Sequence, residues 1–224
     1  MIETLTGLIP EDLLDRSGSV FYSGKDAFSG TKPIYLLGLN PGGDPQEMSE
    51  ETIRLHIEHV LHEKANNWCA YRDESWGNAP IGTWRMQPRV IHLLSRLGLE
   101  PGDIPASNII FVRSRRAREI AETRNAMAAV CWPFHLKVID DLKIKSIVCF
   151  GQDAGWWVRR QLKAIRKVGE FVEQNKRRWS STAFTSDEGR TVVTLPHPSI
   201  ADWTSPPSDP TEFVREAIGS GATH

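Results

Sequence analysis

The sequence predicts an α/β protein built in three layers, with a central four-stranded parallel sheet between two layers of helices. Two observations lead to this fold class. Short apolar runs bounded by glycine or proline alternate with longer segments that repeat apolar residues at helical spacing. The chain also has 224 residues, which is the size of one sizeable α/β domain. We therefore expect a single domain over residues 1–218, followed by a disordered tail over residues 219–224.

The expected strands are four short apolar runs. They are PIYLLGL at 33–39, NIIFVRS at 108–114, KSIVCFG at 145–151 and RTVVTLP at 190–196. Asp44, Pro45 and Glu47 fit the first positions of a helix, so the first connecting helix is expected to begin there. Further helices are expected at 89–98, at 117–142, at 153–165 and from residue 209 onward.

The composition is that of a soluble globular protein. No apolar run approaches the length of a membrane span, and the N-terminus lacks the pattern of a signal peptide. We therefore expect a cytoplasmic protein without a membrane partner. Cys69, Cys131 and Cys149 are an odd number with long gaps between them, which argues against a disulfide framework and a four-thiolate metal site. No metal and no cofactor are expected.

The charges are distributed unevenly along the chain. Residues 108–180 contain 16 Lys or Arg against 7 Asp or Glu, a balance of +9, whereas the remainder contains 11 against 21, a balance of −10. The net charge of −1 therefore combines a basic segment with an acidic remainder. A basic face would favour a phosphate-bearing partner, and a solvated mixed surface is the alternative interpretation.

Unusual residues follow each of the four expected strands. The segments are GLNPGG at 38–43, RSRRAR at 113–118, GQDAGWW at 151–157 and HPSI at 197–200. Parallel strands end at one edge of their sheet, and ligands of such sheets bind outside that edge. The four segments are therefore expected to converge on one site.

The order of these motifs resembles that of the uracil-DNA glycosylase superfamily. GLNPGG and the later HPS are similar to its two signature motifs, and SNIIFVRSRR and SIVCFGQDA are similar to its second and third strands. The resemblance spans residues 33–203. The asparagine of GLNPGG is similar to that of the single-strand-selective and mismatch-specific branches, whereas the four cysteine ligands of the iron–sulfur branch are absent.

This resemblance implies catalytic roles for Asn40 and His197. A carboxamide is not a base at neutral pH, so Asn40 would orient the attacking water rather than deprotonate it. A neutral His197 would donate to O2 of the departing uracil. Asn108 matches the asparagine that reads the base edge, donating to O4 and accepting from N3–H. Without the neighbouring Pro198 and Ser199, a structural histidine bonded to a carbonyl would be the preferred interpretation of His197.

The remaining expected site residues bind the substrate or the DNA backbone. The substrate-binding residues are Gly38, Leu39, Pro41, Gly42, Gly43, Asn108, Trp84 and Trp76, with either tryptophan stacking on the base. The DNA-binding residues are Arg113, Arg115, Arg116, Pro198, Ser199 and Ile200. Ile200 would belong to a wedge that fills the space left by the flipped base. Core packing of the tryptophans and a solvated arginine run are the alternatives.

Together these features predict a monomeric, monofunctional DNA N-glycosylase. Its substrate would be DNA containing uracil or a related damaged base, and its product would start base excision repair. Two alternatives remain open at this level. One is a catalytically silent member of the superfamily that binds DNA or a modified nucleotide, and the other is a small-molecule nucleotide hydrolase on the same fold.

Overall fold

A computed structural model describes residues 2–220 as an α/β fold with six strands. The strands are β1 (Ile34–Gly38), β2 (Ala106–Asn108), β3 (Ser146–Phe150), β4 (Arg166–Val172), β5 (Ser180–Thr185) and β6 (Thr191–Leu195). The α-helices are α1 (Ile2–Thr6), α2 (Glu11–Leu14), α3 (Ile53–His62), α4 (Ala70–Asp73), α5 (Met86–Arg96), α6 (Arg124–Asp141), α7 (Gln152–Gln161) and α8 (Thr211–Ser220). Short 3-10 helices occupy Lys25–Phe28, Pro101–Asp103, Ala117–Ile120 and Pro206–Ser208.

The strands form one mostly parallel sheet in the order β2-β1-β3-β6-β5-β4. The first four of these strands are parallel, and β5 and β4 add an antiparallel hairpin beyond β6. The expectation of four strands was therefore wrong in number. β4 carries mostly exposed residues and β5 alternates half-buried and buried residues, so neither strand shows the continuous apolar run typical of a buried parallel strand.

The second parallel strand also begins earlier than expected. β2 ends at Asn108, where the expected strand began. The apolar residues that follow continue as buried chain beside the end of β1, because the backbone N–H groups of Ile109 and Ile110 donate to the carbonyls of Gly38 (3.0 Å) and Leu39 (2.9 Å). Asn108 is therefore the last residue of its strand, beside Gly38 at the end of β1.

Helices cover both faces of the sheet. Successive residues of a strand point to opposite faces, so each strand contributes side chains to both helix layers. Tyr35 and Leu37 of β1 pack in a core with α3, α6 and α7, whereas Ile34 and Leu36 pack in a second core with α5 and α8. All five residues of β1 are buried. The three-layer arrangement follows from this burial on both faces.

The first long helix begins at Ile53, not at Asp44 as expected. Thr52 is its N-cap, and the Thr52 hydroxyl accepts from the Leu55 backbone N–H at 3.2 Å. Asp44 instead caps a local turn, since its Oδ1 accepts from the Gln46 backbone N–H at 2.9 Å. Thr52 and Asp44 each accept a hydrogen bond from a backbone N–H shortly after them in the chain. The sequence pattern at Asp44 therefore does not distinguish a turn from a helix.

At the other end of the chain, Asp209 precedes the last helix as expected. Its Oδ1 accepts from the Thr211 backbone N–H at 2.9 Å, and α8 continues to Ser220. Residues 221–224 of the expected disordered tail lie outside the described residues. Within residues 2–220, no helix is long and apolar enough to cross a membrane. The three cysteines are free and buried.

Candidate active-site cleft

A cleft of about 1330 Å³ opens at the edge where the four parallel strands end. Most of the expected site residues line it: Gly38, Asn40, Gly42, Gly43, Trp76, Trp84, Asn108, Arg113, Arg115, His197 and Ser199. Five expected residues do not line it: Leu39, Pro41, Arg116, Pro198 and Ile200. Three strand ends thus bring Asn40, Asn108 and His197 into one cavity from positions up to 157 residues apart in the sequence (197 minus 40).

Asn108 lies against Gly38 at the floor of the cleft. The two residues are paired across β1 and β2, and a Cβ at Gly38 would overlap Oδ1 of Asn108. Asn108 is only 8% exposed. The Tyr22 hydroxyl lies 3.1 Å from the Ser19 hydroxyl, and burial raises the pKa of Tyr22, an effect that Ser19 and Asn108 partly oppose. The phenol is therefore protonated at neutral pH and remains beside the Asn108 amide.

The side chain of Asn40 is held by its nitrogen. Nδ2 donates to the Ser114 hydroxyl at 2.8 Å and to the Pro41 carbonyl at 2.9 Å, with a longer contact to the Val112 carbonyl at 3.4 Å. Within residues 2–220, Oδ1 of Asn40 has no hydrogen-bond donor. The amide is therefore fixed in orientation, and its oxygen is left as an acceptor at the cleft.

His197 presents one ring nitrogen to its own loop and the other away from it. The backbone N–H of Ser199 donates to Nδ1 at 3.1 Å, and the Ser199 hydroxyl lies 2.8 Å from the same atom. Because a backbone N–H can only donate, Nδ1 is the acceptor and the proton of the neutral ring is on Nε2. Burial lowers the pKa of His197 to about 4, so the ring is neutral at pH 7.

The glycine loop after β1 is braced by Arg113. Nη1 of Arg113 donates to the Gly42 carbonyl at 2.6 Å, Nε donates to the Ser17 hydroxyl at 3.2 Å, and Nη2 pairs with Glu51 at 2.9 Å. The Arg113 side chain is 9% exposed. Gly43 lies in the left-handed region at φ 106°, so the loop bends where a side chain would be strained. Arg113 thus acts within the protein as a brace of this loop.

The other two expected arginines differ from Arg113. The side chain of Arg115 is 60% exposed at the cleft and pairs with the carboxylate of Asp44. Arg116 is exposed outside the cleft, and its backbone N–H donates to Glu119 at 3.2 Å. Of the three arginines, Arg115 alone combines exposure with a position on the cleft wall.

Aromatic side chains form one wall of the cleft. Tyr22 and Tyr71 are stacked at a centroid distance of 5.8 Å, and Trp76 meets Tyr71 edge to face at 5.7 Å. Phe150, the last residue of β3, lies 6.4 Å from Tyr71 in the same manner. Sequence reasoning missed Tyr22, Tyr71 and Phe150. Only Phe150, at the end of an expected strand, carried a signal that could have identified it.

Both candidate tryptophans lie in one loop, residues 74–85, that a buried glutamine holds in place. Gln87 is fully buried; its Nε2 donates to the carbonyls of Ala70 (3.0 Å) and Glu74 (2.8 Å), and its Oε1 accepts from the Trp84 backbone N–H (2.9 Å). The Trp84 ring lies against Gly77, where a Cβ would come within 2.8 Å of it. Trp76 meets the aromatic wall, whereas Trp84 packs on its own loop.

The loop of residues 197–200, which we call the motif loop, is held by two arginines from outside. Nη1 of Arg89 donates to the Pro198 carbonyl at 2.5 Å, and Nη1 of Arg177 donates to the Ile200 carbonyl at 2.6 Å. Pro198 is buried beneath the loop, whereas Ile200 is 59% exposed. The main chain is therefore anchored while the Ile200 side chain faces solvent.

Residues around α3 and α4 contribute carboxylates to the cleft. They are Glu50, Glu51, Glu63, Asp73 and Glu74. Three of them form ion pairs with cations of the protein: Glu51 with Arg113 at 2.9 Å, Asp73 with Arg72 at 2.7 Å and Glu74 with Lys64 at 3.1 Å. Most of the negative charge on this side is therefore neutralised within the protein.

Leu39 and Pro41 point away from the cleft. Leu39 contacts a small separate cavity beside Trp156 and Trp157 of α7, and the buried Pro41 contributes its carbonyl to the bond with Asn40. Among the described residues, no group of three or more His, Cys, Asp or Glu side chains could hold a metal ion. The sequence matches no protein-family model and no curated protein.

Proposed function

We propose that the protein is a monofunctional DNA N-glycosylase that removes uracil, or a related deaminated base, from DNA. One observation carries this proposal: the oriented Asn40 amide, the Asn108 amide and the neutral His197 ring line one cleft at the ends of parallel strands. Water activation, base recognition and leaving-group stabilisation need three such groups around one nucleotide. The resemblance of GLNPGG and HPS to the superfamily motifs assigns the same three roles.

In the proposed reaction, the bond between C1′ and N1 of the flipped nucleotide breaks and its electron pair stays with uracil. The Nε2–H of His197 donates to O2, where negative charge develops, and so stabilises the transition state more than the substrate. Oδ1 of Asn40 accepts a hydrogen bond from the water whose oxygen joins C1′. Because a carboxamide does not take the proton, that proton passes to the departing base or to solvent.

Asn108 supplies the proposed selectivity for uracil. Its amide can donate to O4 and accept from N3–H, whereas cytosine presents an amino donor and a bare nitrogen at those positions. The neighbouring Tyr22 hydroxyl stays protonated because burial raises its pKa. The aromatic wall offers the partly exposed Trp76 as a ring for the base.

The test uses labelled oligonucleotides that contain uracil, hypoxanthine or a thymine mismatch, in single-stranded and duplex form. Each is incubated with the wild type, with Asn40→Ala, with His197→Ala and with the matched control His62→Ala, which changes an exposed histidine outside the cleft lining. Alkali then cleaves any abasic site. We expect strand breakage at uracil with the wild type and control, and a loss of about 100-fold or more with His197→Ala.

Two results would replace the proposal by another function. Tight retention of uracil-containing DNA without breakage would make the protein a binding protein of the same fold. Hydrolysis of free deoxyuridine monophosphate, with oligonucleotides left intact, would make it a small-molecule nucleotide hydrolase. Breakage that persists unchanged in both Asn40→Ala and His197→Ala would contradict the assigned roles.

A further inference from the structure

The hairpin between β4 and β5 turns at the same edge of the sheet as the cleft. β5 is antiparallel to β6, with Thr182 paired to Thr194, so the start of β5 lies beside the end of β6. Ser180 at the start of β5 pairs in turn with Val172 at the end of β4. The connecting residues 173–179, which we call the basic turn, therefore lie at the edge that carries the motif loop.

A buried carboxylate and an asparagine fix the main chain of the basic turn. Glu173 is 1% exposed, its backbone N–H donates to the Trp179 carbonyl at 2.9 Å, and its Oε2 accepts from Nδ2 of Asn175 at 2.8 Å. Oδ1 of Asn175 accepts from the backbone N–H groups of Arg177 (2.9 Å) and Arg178 (3.2 Å). The turn is therefore preorganised by its own side chains.

Arg177 joins the basic turn to the motif loop. Its Nη1 donates to the Ile200 carbonyl at 2.6 Å, its Nη2 lies 3.5 Å from Oε2 of the buried Glu173, and its guanidinium lies 4.3 Å from the centre of the Trp179 ring. The exposed Ile200 and the basic turn are thus held side by side as one unit.

Lys176 and Arg178 are the two remaining cations of the turn. Both are exposed, and no carboxylate within residues 2–220 forms an ion pair with either side chain. By contrast, Arg113 is engaged with Gly42 and Glu51, and Arg115 is paired with Asp44. The basic turn therefore presents two exposed cations that no carboxylate of the described residues neutralises, whereas Arg113 and Arg115 are paired within the protein.

We propose that the basic turn is a second phosphate-binding element, in which Lys176 and Arg178 contact the nucleic-acid backbone beside the nucleotide that enters the cleft. This proposal rests on the proposed function for the identity of the polyanion. A flipped nucleotide leaves the stack while its flanking phosphates stay attached, so a site that holds phosphates beside the exposed Ile200 stabilises the opened strand.

The test compares two double variants that remove the same charge. One is Lys176→Ala with Arg178→Asn. The control is Lys145→Ala with Lys143→Asn, at exposed positions just before β3 and hence at the opposite edge of the sheet. Asn replaces Arg178 and Lys143 because their φ values of 52° and 57° are left-handed and suit asparagine. Thermal melting checks that both variants fold.

Affinity for a uracil-containing oligonucleotide is then measured between about 50 and 300 mM salt, together with single-turnover base release at saturating protein. We expect the basic-turn variant to bind about tenfold more weakly at low salt and to lower the slope of log K against log salt by about 1.5, because two phosphate contacts are lost. The control should keep the wild-type slope, and its rate of base release at saturation should change less than about twofold.

The outcomes separate the two proposals. If the wild type releases the base and both double variants have the same salt slope, the phosphate-binding role is overturned and the proposed function stands. If only the basic-turn variant has a reduced salt slope and the wild type releases no base, the proposed function is overturned and the turn is supported as a nucleic-acid contact. Absence of any oligonucleotide binding by the wild type overturns both.

Discussion

The side chain of Asn108 occupies the space over Gly38 that a Cβ would fill. Gly38 therefore lacks a side chain because its neighbour on β2 needs the room, and its own backbone carbonyl still accepts from Ile109 at 3.0 Å. The position of the Asn108 amide, which we propose reads the base, thus depends on a glycine in the adjacent strand.

A methyl group at Gly38 should displace Asn108 and impair recognition of the base. We expect Gly38→Ala to slow single-turnover uracil release by about 100-fold, since a shift of about 1 Å in a positioning group has effects of this size. Gly7→Ala is the matched control, because a Cβ there makes only an ordinary contact of 3.6 Å with the Thr4 carbonyl and Gly7 lies outside the cleft lining. A Gly38→Ala protein as fast as this control would remove Asn108 from the recognition step.

The protonation state of His197 gives a second prediction. Burial lowers the pKa of His197 to about 4, so its ring should remain neutral, with the proton on Nε2, from pH 8 down to pH 5. Nitrogen NMR of labelled histidine, assigned with His197→Gln, reports both the tautomer and the titration. Ser199→Ala should keep the Nε2–H tautomer, because the backbone N–H of residue 199 still donates to Nδ1. A ring that titrates near pH 6.5, or that carries its proton on Nδ1, would contradict this geometry.

Selectivity should depend on the Asn108 side chain. Asn108→Asp replaces the donor to O4 by a carboxylate oxygen, so uracil release should fall by at least about tenfold. The new acceptor can pair with the amino group of cytosine, and a trace of cytosine release would agree with it. Cytosine is a poorer leaving group unless protonated, so the uracil rate under single-turnover conditions is the deciding measurement. An unchanged rate would place specificity in the loop of Trp76 and Trp84.

Stability toward acid should depend on His135, which lies behind the cleft on α6. His135 is fully buried, its Nδ1 lies 2.9 Å from the Tyr35 hydroxyl, and its Nε2 lies 3.2 Å from the Ile109 carbonyl. Burial lowers the pKa of His135 to about 3. As the pH is lowered below about 6.5, the histidine takes up a proton in the unfolded chain but not in the folded protein. The free energy of unfolding should therefore decrease by up to about 1.4 kcal/mol for each pH unit, down to about pH 3.

Urea unfolding at several pH values tests the role of His135. His135→Gln keeps a donor and an acceptor but does not titrate, so its free energy of unfolding should fall less steeply between pH 6.5 and pH 4. Lowered carboxyl pKa values contribute equally to both proteins and cancel in the comparison. If the plots of the free energy of unfolding against pH are parallel for wild type and variant, His135 takes up its proton in the folded protein as readily as in the unfolded chain.

β1, β3 and β6 were predictable because each is buried on both faces and therefore reads as a continuous apolar run. β2 was misplaced, because it is the short segment Ala106–Asn108 and the apolar run that follows it is not a strand. β4 was not predictable, because it is an edge strand whose charged residues face solvent. With the hairpin missed, the cations of the basic turn appeared only as part of a basic window in the sequence. Their position at the cleft edge follows from the antiparallel pairing of β5 with β6.

The site was partly predictable for a related reason. Asn40 and His197 follow expected strand ends, whose relative positions are determined by the sheet topology. Asn108 was expected at the start of its strand and was assigned to the site by the resemblance alone, whereas β2 ends at this residue. Tyr22 reaches the cleft from an irregular N-terminal segment, through contacts that no local pattern encodes. The engagement of Arg113 was also hidden, since its partners Ser17 and Glu51 are 96 and 62 residues away in the chain.

The two arginines that hold the motif loop act on carbonyl groups, which every residue type possesses. Arg89 bonds to the Pro198 carbonyl and Arg177 to the Ile200 carbonyl, so neither contact depends on the side chain at residue 200. The side chain at residue 200 can therefore be replaced without moving His197. A library with every amino acid at residue 200 should yield mostly folded proteins that differ in their preference for single-stranded or duplex DNA.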